Sequence, residues 1–263
     1  MRYLFVLSHM RSGSSLLAHL LGSHPEIAGY GELHRGYRAQ EDLDRLVVDV
    51  EKQVSSSGLS QRYVLDKILH NRHEIHPHIA TRPDTLFVFL LREPNASISS
   101  LNARLPEWCP AAIDATDTYN WSVEQYRMRL MGMRRLARTV DDPTRCCFVT
   151  FEQLLGDTRL VFSAIESMLK LESPLSEEYS VVSETGKPGF GDTSEHIHAG
   201  RILRDLPKRS QPDISQSGEH VELYQDTCRL LGRYCRTTDG HPVRPHIFAQ
   251  KPFDIERALQ THR

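Results

Sequence analysis

The first 22 residues constrain the fold most, because they combine an apolar run, a polar turn and a helix-forming run. Residues 4–7 are continuously apolar and bounded by polar residues, which is typical of a strand buried on both faces. Residues 8–15 hold four serines and one glycine, and the leucine-rich run that follows ends near Gly22. A strand, turn and helix in this order predict an α/β domain with a ligand at the carboxyl end of the strand.

The rest of the chain repeats this alternation. Three further apolar runs predict strands at 63–65, 86–91 and 146–149. Helical patterns separate them, at 41–53, 94–103, 118–139 and 158–171. This alternation predicts one three-layer α/β domain over residues 1–263, with helices on both sides of a mostly parallel central sheet. A glycine-rich stretch at about 184–213 predicts a long loop or lid, and a C-terminal helix is expected near 219–234.

Composition excludes several classes of partner. The formal net charge of -2 gives no electrostatic case for binding nucleic acid. The 5 cysteines are odd in number and have no zinc-type spacing, which is typical of reduced thiols. No run reaches the ~18 apolar residues of a membrane span, and the apolar start is too short for a signal peptide. We therefore expect a cytoplasmic protein.

The turn at residues 8–15 has the chemistry of an anion cradle. Gly13 permits a tight turn, the small hydroxyl residues leave backbone N–H groups open, and a helix N-terminus follows. Arg11 adds a guanidinium whose fork matches phosphate or sulfate oxygens. A Walker A loop is excluded, because Ser8 and Ser14 stand where that motif needs Gly and Lys. A plain capped turn remains the alternative.

A second candidate site follows the strand at 86–91. Arg92 comes directly after the strand, and Pro94 favours the start of a helix. Ser97 and Ser100 lie three residues apart and hence on one face of that helix. Taken alone, the pattern is more typical of an ion pair at a helix start with a solvated serine face.

Together these motifs resemble the PAPS-dependent sulfotransferases, whose 5′-phosphosulfate loop reads Arg or Lys, Ser-Gly and two hydroxyl residues. The sequence 11–15 matches this pattern throughout. The leucines that follow, then His24-Pro25 and Gly31-Glu32, are most similar to the tyrosylprotein and carbohydrate branches. The resemblance implies a P-loop-like fold and transfer of a sulfonate group from PAPS to a hydroxyl or amine, with release of PAP and no metal ion.

The resemblance also assigns residues to the donor nucleotide. Those that hold the 5′-phosphosulfate are Arg11, Ser12, Gly13, Ser14 and Ser15. Arg92 and Ser100 have the spacing of the family's 3′-phosphate site. Phe151 stands where the family has an aromatic residue near the adenine, although simple packing explains it equally well. Lys187 and Arg201, in the late glycine-rich stretch, are candidates for phosphate contacts.

For catalysis, the resemblance gives Arg11 and Lys67 the role of neutralising charge on the leaving phosphate. Glu32 matches the catalytic base of the tyrosylprotein branch. His70 is the rival base, although it lies three residues after Lys67 where the cytosolic branch has two. A carboxylate base needs burial to raise its pKa, because its reference pKa of ~4.3 is low for an alcohol.

Other interpretations remain open at this stage. A P-loop kinase or NTPase and a nonenzymatic PAP-binding module are the alternatives to a transferase. The acceptor is a small molecule, carbohydrate, lipid or peptide, lined by segments such as 36–46 and 103–119, and the oligomeric state is not predicted. The histidines at 70, 73, 76 and 78 predict no metal site, because no acidic or cysteine partner has ligand spacing and Pro77 interrupts any helix face.

Overall fold

A central sheet of five parallel strands organises the computed structural model of the chain, which describes residues 1–54, 58–108, 115–187, 189–204 and 218–239. The strands are β1 (Arg2–Ser8), β2 (Ile27–Ala28), β3 (Tyr63–Ile68), β4 (Thr85–Leu91) and β5 (Cys146–Thr150). Their order across the sheet is β2-β3-β1-β4-β5. The predicted α/β class with a parallel sheet is confirmed.

Helices cover both faces of the sheet. They are α1 (Ser14–Gly22), α2 (Gln40–Gln53), α3 (Pro77–Ala80), α4 (Pro94–Trp108), α5 (Ala115–Val140), α6 (Phe151–Gly156), α7 (Thr158–Leu169) and α8 (Glu219–Tyr234). A 3₁₀ helix at Glu195–Ala199 lies within the predicted lid. Of that lid, residues 188 and 205–213 fall outside the described part of the chain.

Alternation along the strands builds two apolar cores. On β1, Phe5 and Leu7 point into a core shared with α2, α4, α5 and α8. Leu4 and Val6 point into the opposite core, shared with α1, α6 and α7. Because both faces are covered, the central strands are apolar throughout, which is why they were recognisable in the sequence. Among the described helices, none has both the length and the apolar character needed to cross a membrane.

Three short elements escaped the sequence prediction, and β3 extends further than predicted. Strand β2 has two residues, α3 has four and α6 has six, so none offers a full period of apolar residues. Strand β3 ends at Ile68 rather than Leu65, because it continues through the buried polar residues Asp66 and Lys67. A strand at 63–65 would put Lys67 just past its end; that expectation is wrong, because Lys67 lies within β3.

Parallel register brings the carboxyl ends of the strands to one edge. Leu7 pairs with Ile68, Ser8 pairs with Leu90, and Leu91 pairs with Thr150. The residues that follow β1, β3, β4 and β5 therefore meet at this edge of the sheet, where open α/β sheets bind their ligands.

Candidate active site

The loop between β1 and α1 is a tight turn held by its own hydroxyl groups. Ser8 Oγ donates to the Leu90 carbonyl at 2.6 Å and lies 2.5 Å from Ser12 Oγ. Gly13 has φ 86° and caps α1. A Cβ at Gly13 would lie 2.2 Å from the Phe151 ring, so both the backbone conformation and the space require glycine. The first turn of α1 therefore opens its N–H groups at the sheet edge, as an anion cradle needs.

Arg11 and Arg92 meet at this edge. The Arg92 guanidinium donates to the Arg11 carbonyl at 3.1 Å and stacks on Phe151, 4.6 Å from the ring centroid. Arg11 Nε donates to Ser100 Oγ at 3.0 Å, so Ser100 contacts the loop arginine. The residues that follow β1 and β4 are thus in direct contact, with a hydroxyl on Arg11 and an aromatic face on Arg92.

His9 and Tyr126 position Arg92, and neither residue stands in a recognisable sequence motif. The buried His9 accepts a hydrogen bond from the Arg92 N–H at Nε2, which leaves Nδ1 to donate to the Met10 carbonyl. The Tyr126 hydroxyl donates to the Arg92 carbonyl at 2.9 Å, and its ring packs edge-on against His9. Burial, with the nearby Arg92 and Arg129 charges, lowers the pKa of His9 to about 3 despite its hydrogen bonds, so the imidazole is neutral.

Lys67 connects the loop to Glu32. It is only 1% exposed, and its ammonium donates to Ser15 Oγ at 3.2 Å and lies 3.9 Å from Glu32 Oε2. Burial lowers the pKa of Lys67, and the neighbouring Glu32 and Asp66 charges oppose that shift. The buried Lys67 charge interacts strongly with nearby charges, because little water screens it.

Glu32 lies at the centre of a buried polar group, with 6% of its surface exposed. Lys67 approaches one carboxylate oxygen, while His70 Nε2 and His34 Nδ1 approach the other at 3.4 Å and 3.5 Å. Burial raises the pKa of Glu32, and Lys67 and His34 oppose that rise. Burial also lowers the pKa of His70 to about 4. The burial that a carboxylate base needs is therefore present.

Asp66 holds the segment that carries Glu32, and it is a further residue that sequence reasoning missed. Its carboxylate accepts hydrogen bonds from the Leu33 N–H at 3.0 Å and from the Tyr37 hydroxyl at 2.6 Å. Gly29, at φ 101°, lets the backbone approach β3 so closely that a Cβ there would lie 2.5 Å from the Leu65 carbonyl oxygen. A charged residue inside a strand was the available signal, because buried carboxylates need partners.

Arg129 of α5 ties the ends of two strands together. Its buried guanidinium donates to the carbonyl of Ser8, at 2.6 Å, and to that of Ile68. Ser8 ends β1 just before the loop that leads to α1, and Ile68 ends β3 directly after Lys67. Arg129 therefore sets the spacing between this loop and Lys67.

Residues 189–194, named the lid segment below, dock on the loop through an acidic residue. The Asp192 N–H donates to Ser15 Oγ at 2.9 Å, and the Asp192 carboxylate lies 3.4 Å from the Arg11 guanidinium. Burial opposes ionisation of Asp192, but Arg11 and Ser194 outweigh it and lower its pKa. At the segment's end, Arg104 donates to Thr193 Oγ1 at 3.2 Å.

The two basic residues predicted to reach the nucleotide from this stretch lie elsewhere in the structure. Lys187 is paired with Glu184 at 3.1 Å and is more than half exposed. Arg201 is exposed, and its backbone forms a bridge with Glu178. Their phosphate contacts stay predictions, whereas Asp192, which the sequence did not single out, is the lid residue on the loop.

Comparison with known proteins identifies the family. A family model described as "Sulfotransferase family" matches residues 39–175. No curated protein sequence gives a match. Among solved structures, the sulfotransferase domain from the curacin biosynthetic pathway superposes with a TM-score of 0.57 and 17% identity, over 86% of this chain and 96% of that one. This likeness shows a shared fold.

Two further solved structures match more loosely. The sulfotransferase domain from the Synechococcus PCC 7002 olefin synthase has a TM-score of 0.48 and 20% identity, over 87% of this chain and 92% of that chain. A mouse sulfotransferase complexed with PAP has a TM-score of 0.44 and 10% identity, over 65% of this chain and 60% of that chain. Because the family match spans more than half of the residues, the chain belongs to the sulfotransferase family, PAPS-dependent enzymes that transfer a sulfonate group.

Proposed function

We propose that the chain binds PAPS across the carboxyl edge of its sheet, with Arg11 at the phosphosulfate end and Arg92 at the 3′-phosphate end. The observation that carries this proposal is the hydrogen bond of 3.1 Å from the Arg92 guanidinium to the Arg11 carbonyl. This contact makes the two residues neighbours near the ends of the adjacent strands β1 and β4, which supports their binding to one nucleotide. A nucleotide with phosphates at both ends of its ribose complements two such cations.

The donor is held by positioned hydrogen-bond donors. The N–H groups at the start of α1 and the hydroxyls of Ser14 and Ser15 face the phosphosulfate, and Arg11 adds its guanidinium. Arg92 and Ser100 take the 3′-phosphate. The Phe151 ring, which already packs on Arg92, offers a face for the adenine. Asp192 must release Arg11 when the donor binds, because a carboxylate and a phosphosulfate compete for the same guanidinium.

The sulfonate then transfers in line from PAPS to the acceptor. The bond between sulfur and the bridging phosphate oxygen breaks, a new bond to the acceptor oxygen or nitrogen forms, and the acceptor proton passes to Glu32. The electron pair stays on the phosphate of PAP, where Lys67 and Arg11 stabilise the developing charge. As in phosphoryl transfer, positioning and charge stabilisation carry the catalysis.

Glu32 is the stronger of the two candidate bases. It is buried and in contact with Lys67, so it lies beside the residue that stabilises the leaving group. His70 is the alternative, and its imidazole lies 3.4 Å from the same carboxylate. Burial raises the pKa of Glu32 and lowers that of His70 to about 4, which makes the carboxylate more basic and the imidazole less so.

The acceptor is the open part of the proposal. Hydroxyls or amines of a small molecule, a carbohydrate, a lipid or a peptide all fit the chemistry. The segments predicted to line its pocket are 36–46 and 103–119, of which 109–114 lie outside the described residues. The cytoplasmic location predicted from the sequence is retained as part of this proposal, together with the single-domain organisation of residues 1–263.

A thermal shift with PAP against ATP tests the donor assignment. A ligand at 100 times its Kd stabilises by about 2.7 kcal/mol, so PAP should raise the melting temperature by several degrees. ATP, which lacks a 3′-phosphate, should raise it less. Mass spectrometry of metabolite and lipid extracts incubated with PAPS should then reveal products heavier by one sulfonate. Equal stabilisation by ATP, or tight PAP binding without any sulfonated product, contradicts the proposal.

A further inference from the structure

Glu32, His34 and His70 bring three metal-ligating side chains together beside the proposed base. One ligand atom from each lies within 4.8 Å of the other two. His34 follows β2, at φ 52°, and His70 follows β3, so the loops after two neighbouring strands supply the group. These three residues are named the Glu32–histidine cluster below.

The distances in the cluster are long for hydrogen bonds and suitable for a bound cation. His70 Nε2 and His34 Nδ1 lie 3.4 Å and 3.5 Å from the same oxygen, Glu32 Oε1. Charge-assisted hydrogen bonds are shorter, about 2.7–2.9 Å. Two ligand atoms that bind one tetrahedral Zn²⁺ at about 2.0–2.1 Å are roughly 3.3 Å apart. Both distances are therefore close to the distance between two ligand atoms of a tetrahedral zinc site.

The hydrogen bonding of His34 turns a lone pair toward Glu32. His34 Nε2 lies 2.8 Å from the Gly189 carbonyl, which only accepts, so this nitrogen carries a proton. In the neutral ring, Nδ1 then presents its lone pair to Glu32 Oε1. A carbonyl that fixes the outer nitrogen of a histidine in this way is the usual support of a metal ligand.

Glu32 Oε1 supplies an independent sign of a missing partner. Within the described part of the chain, this oxygen is buried and has no hydrogen-bond partner. The other oxygen of the same carboxylate faces Lys67 at 3.9 Å. A buried carboxylate oxygen without a partner is costly, and a cation between it and the two imidazoles would remove that cost.

The set of donor atoms indicates which metal fits. Two imidazole nitrogens and one carboxylate oxygen suit Zn²⁺ and related divalent ions rather than Mg²⁺ or Ca²⁺, which prefer oxygen ligands. The His73 ring packs against both histidines, with centroids 5.9 Å from His34 and 5.6 Å from His70. His34 is 42% exposed, so an ion has a path from solvent.

We propose that the Glu32–histidine cluster binds Zn²⁺ and that the bound ion inhibits sulfonate transfer. The ion occupies the lone pair with which Glu32 accepts the acceptor proton. The inhibitory consequence rests on the proposed function of Glu32, whereas the binding itself does not. Donor binding is unaffected, because Arg11, Arg92 and Ser100 are not part of the cluster.

Calorimetric titration of tag-free protein with Zn²⁺ tests the binding. Wild type should bind one ion with high affinity, and His34→Ala and His70→Asn should each lose at least about tenfold in affinity, the usual scale for changes at a metal site. His196→Ala, which changes an exposed histidine of the 3₁₀ helix, is the matched control and should bind as wild type does. Co²⁺ in place of zinc should give ligand-field absorption bands in wild type that the two cluster variants lack.

A different pair of histidines provides the sharpest alternative. His76 and His78 are exposed, and their Nδ1 atoms lie 2.6 Å apart. If His78→Ala removes zinc binding while His34→Ala retains it, the site lies on α3 and the proposal is overturned. Wild type that binds no zinc overturns it as well.

Inhibition is measured separately from donor binding. Zinc at its Kd should halve PAPS-dependent sulfonation of an acceptor found by mass spectrometry, and zinc in large excess over its Kd should stop it, while PAP affinity should change less than twofold. A tight zinc site without any loss of turnover overturns the inhibitory role. Failure of PAP to bind in zinc-free protein instead contradicts the proposed function and leaves the zinc titration valid, so the two failures are distinguishable.

Discussion

Two regions of the site are built in different ways: the donor edge, formed by Arg11, Arg92, Ser100 and Phe151, and the Glu32 side, formed by Glu32, His34, Lys67 and His70. At the donor edge, Arg92 directly follows β4 and Arg11 lies three residues after the end of β1, and each contacts the backbone or a side chain of the segment that follows the other strand. On the Glu32 side, loops after β2 and β3 carry Glu32, His34 and His70, and the buried Asp66 holds the loop after β2. Both regions are assembled by folding, but each arginine of the donor edge lies in a local sequence motif, whereas the Glu32 side joins residues of two loops that share no motif.

This difference separates binding from chemistry. The donor edge is cationic and suited to the phosphates of a nucleotide, while the Glu32 side joins a carboxylate, a buried lysine and imidazoles. Changes on the Glu32 side should therefore affect turnover, and changes at the donor edge should affect nucleotide affinity. The following predictions test that division.

Glu32→Gln is expected to have the largest effect. The amide keeps the shape of the side chain but accepts no proton from the acceptor, so turnover should fall by about 100-fold or more. PAP affinity should stay within twofold, measured by calorimetry beside the rate of product formation. Glu41→Gln, which changes an exposed glutamate at the start of α2, is the matched control. Unchanged turnover in Glu32→Gln removes this residue from the mechanism and makes His70 the base.

Asp192→Asn should have a smaller effect, an increase in PAP affinity. Asp192 pairs with Arg11 at 3.4 Å, and both side chains are partly exposed. Ion pairs of this kind are worth about 0–1 kcal/mol, so removing the competing carboxylate should raise PAP affinity by up to roughly fivefold. Glu184→Gln, which removes the partner of Lys187, should leave the affinity unchanged. Weaker PAP binding in Asp192→Asn would show that the carboxylate supports the donor site.

His9 should give the smallest effect, on stability at low pH. Its pKa in the folded protein is about 3, below the unfolded value of 6.5, so its stabilisation is present above pH 6.5 and is lost as pH falls toward 3. At pH 5.5 the loss is about 1.4 kcal/mol, or roughly 3–5 °C in melting temperature. His9→Gln should reduce the fall in melting temperature between pH 7 and pH 5.5. An identical fall in both proteins contradicts the buried neutral state of His9.

The sequence predicted the fold where apolar runs were long. Strand β4 and helix α8 were predicted to within one residue, and the prediction for β1 missed two residues at its start and one at its end. Strand β3 was predicted too short because its last three residues include the buried polar residues Asp66 and Lys67. A search for apolar runs assigns such residues to a loop. Polar residues buried in a strand reflect a function, and apolar periodicity does not register them.

The candidate site was predictable in the same uneven way. Arg11 and Arg92 carried motifs with fixed spacing, and the structure brings them together. Lys67 and Glu32 were named through resemblance, and their contact at 3.9 Å depends on the close approach of the loops. His34 and Asp192 had no signal, because a lone histidine and a lone aspartate in loops have no periodicity or spacing to recognise.

The central claim is that Arg11 and Arg92 hold two different phosphates of one nucleotide, and a comparison of PAP with adenosine 5′-phosphate tests it directly. Arg92→Ala should weaken PAP binding by about 10–100-fold, the scale of a lost charge-assisted hydrogen bond, and should leave adenosine 5′-phosphate binding unchanged. Arg11→Ala should weaken the binding of both nucleotides by the same factor. If Arg92→Ala weakens both nucleotides equally, Arg92 does not read the 3′-phosphate and the account is contradicted.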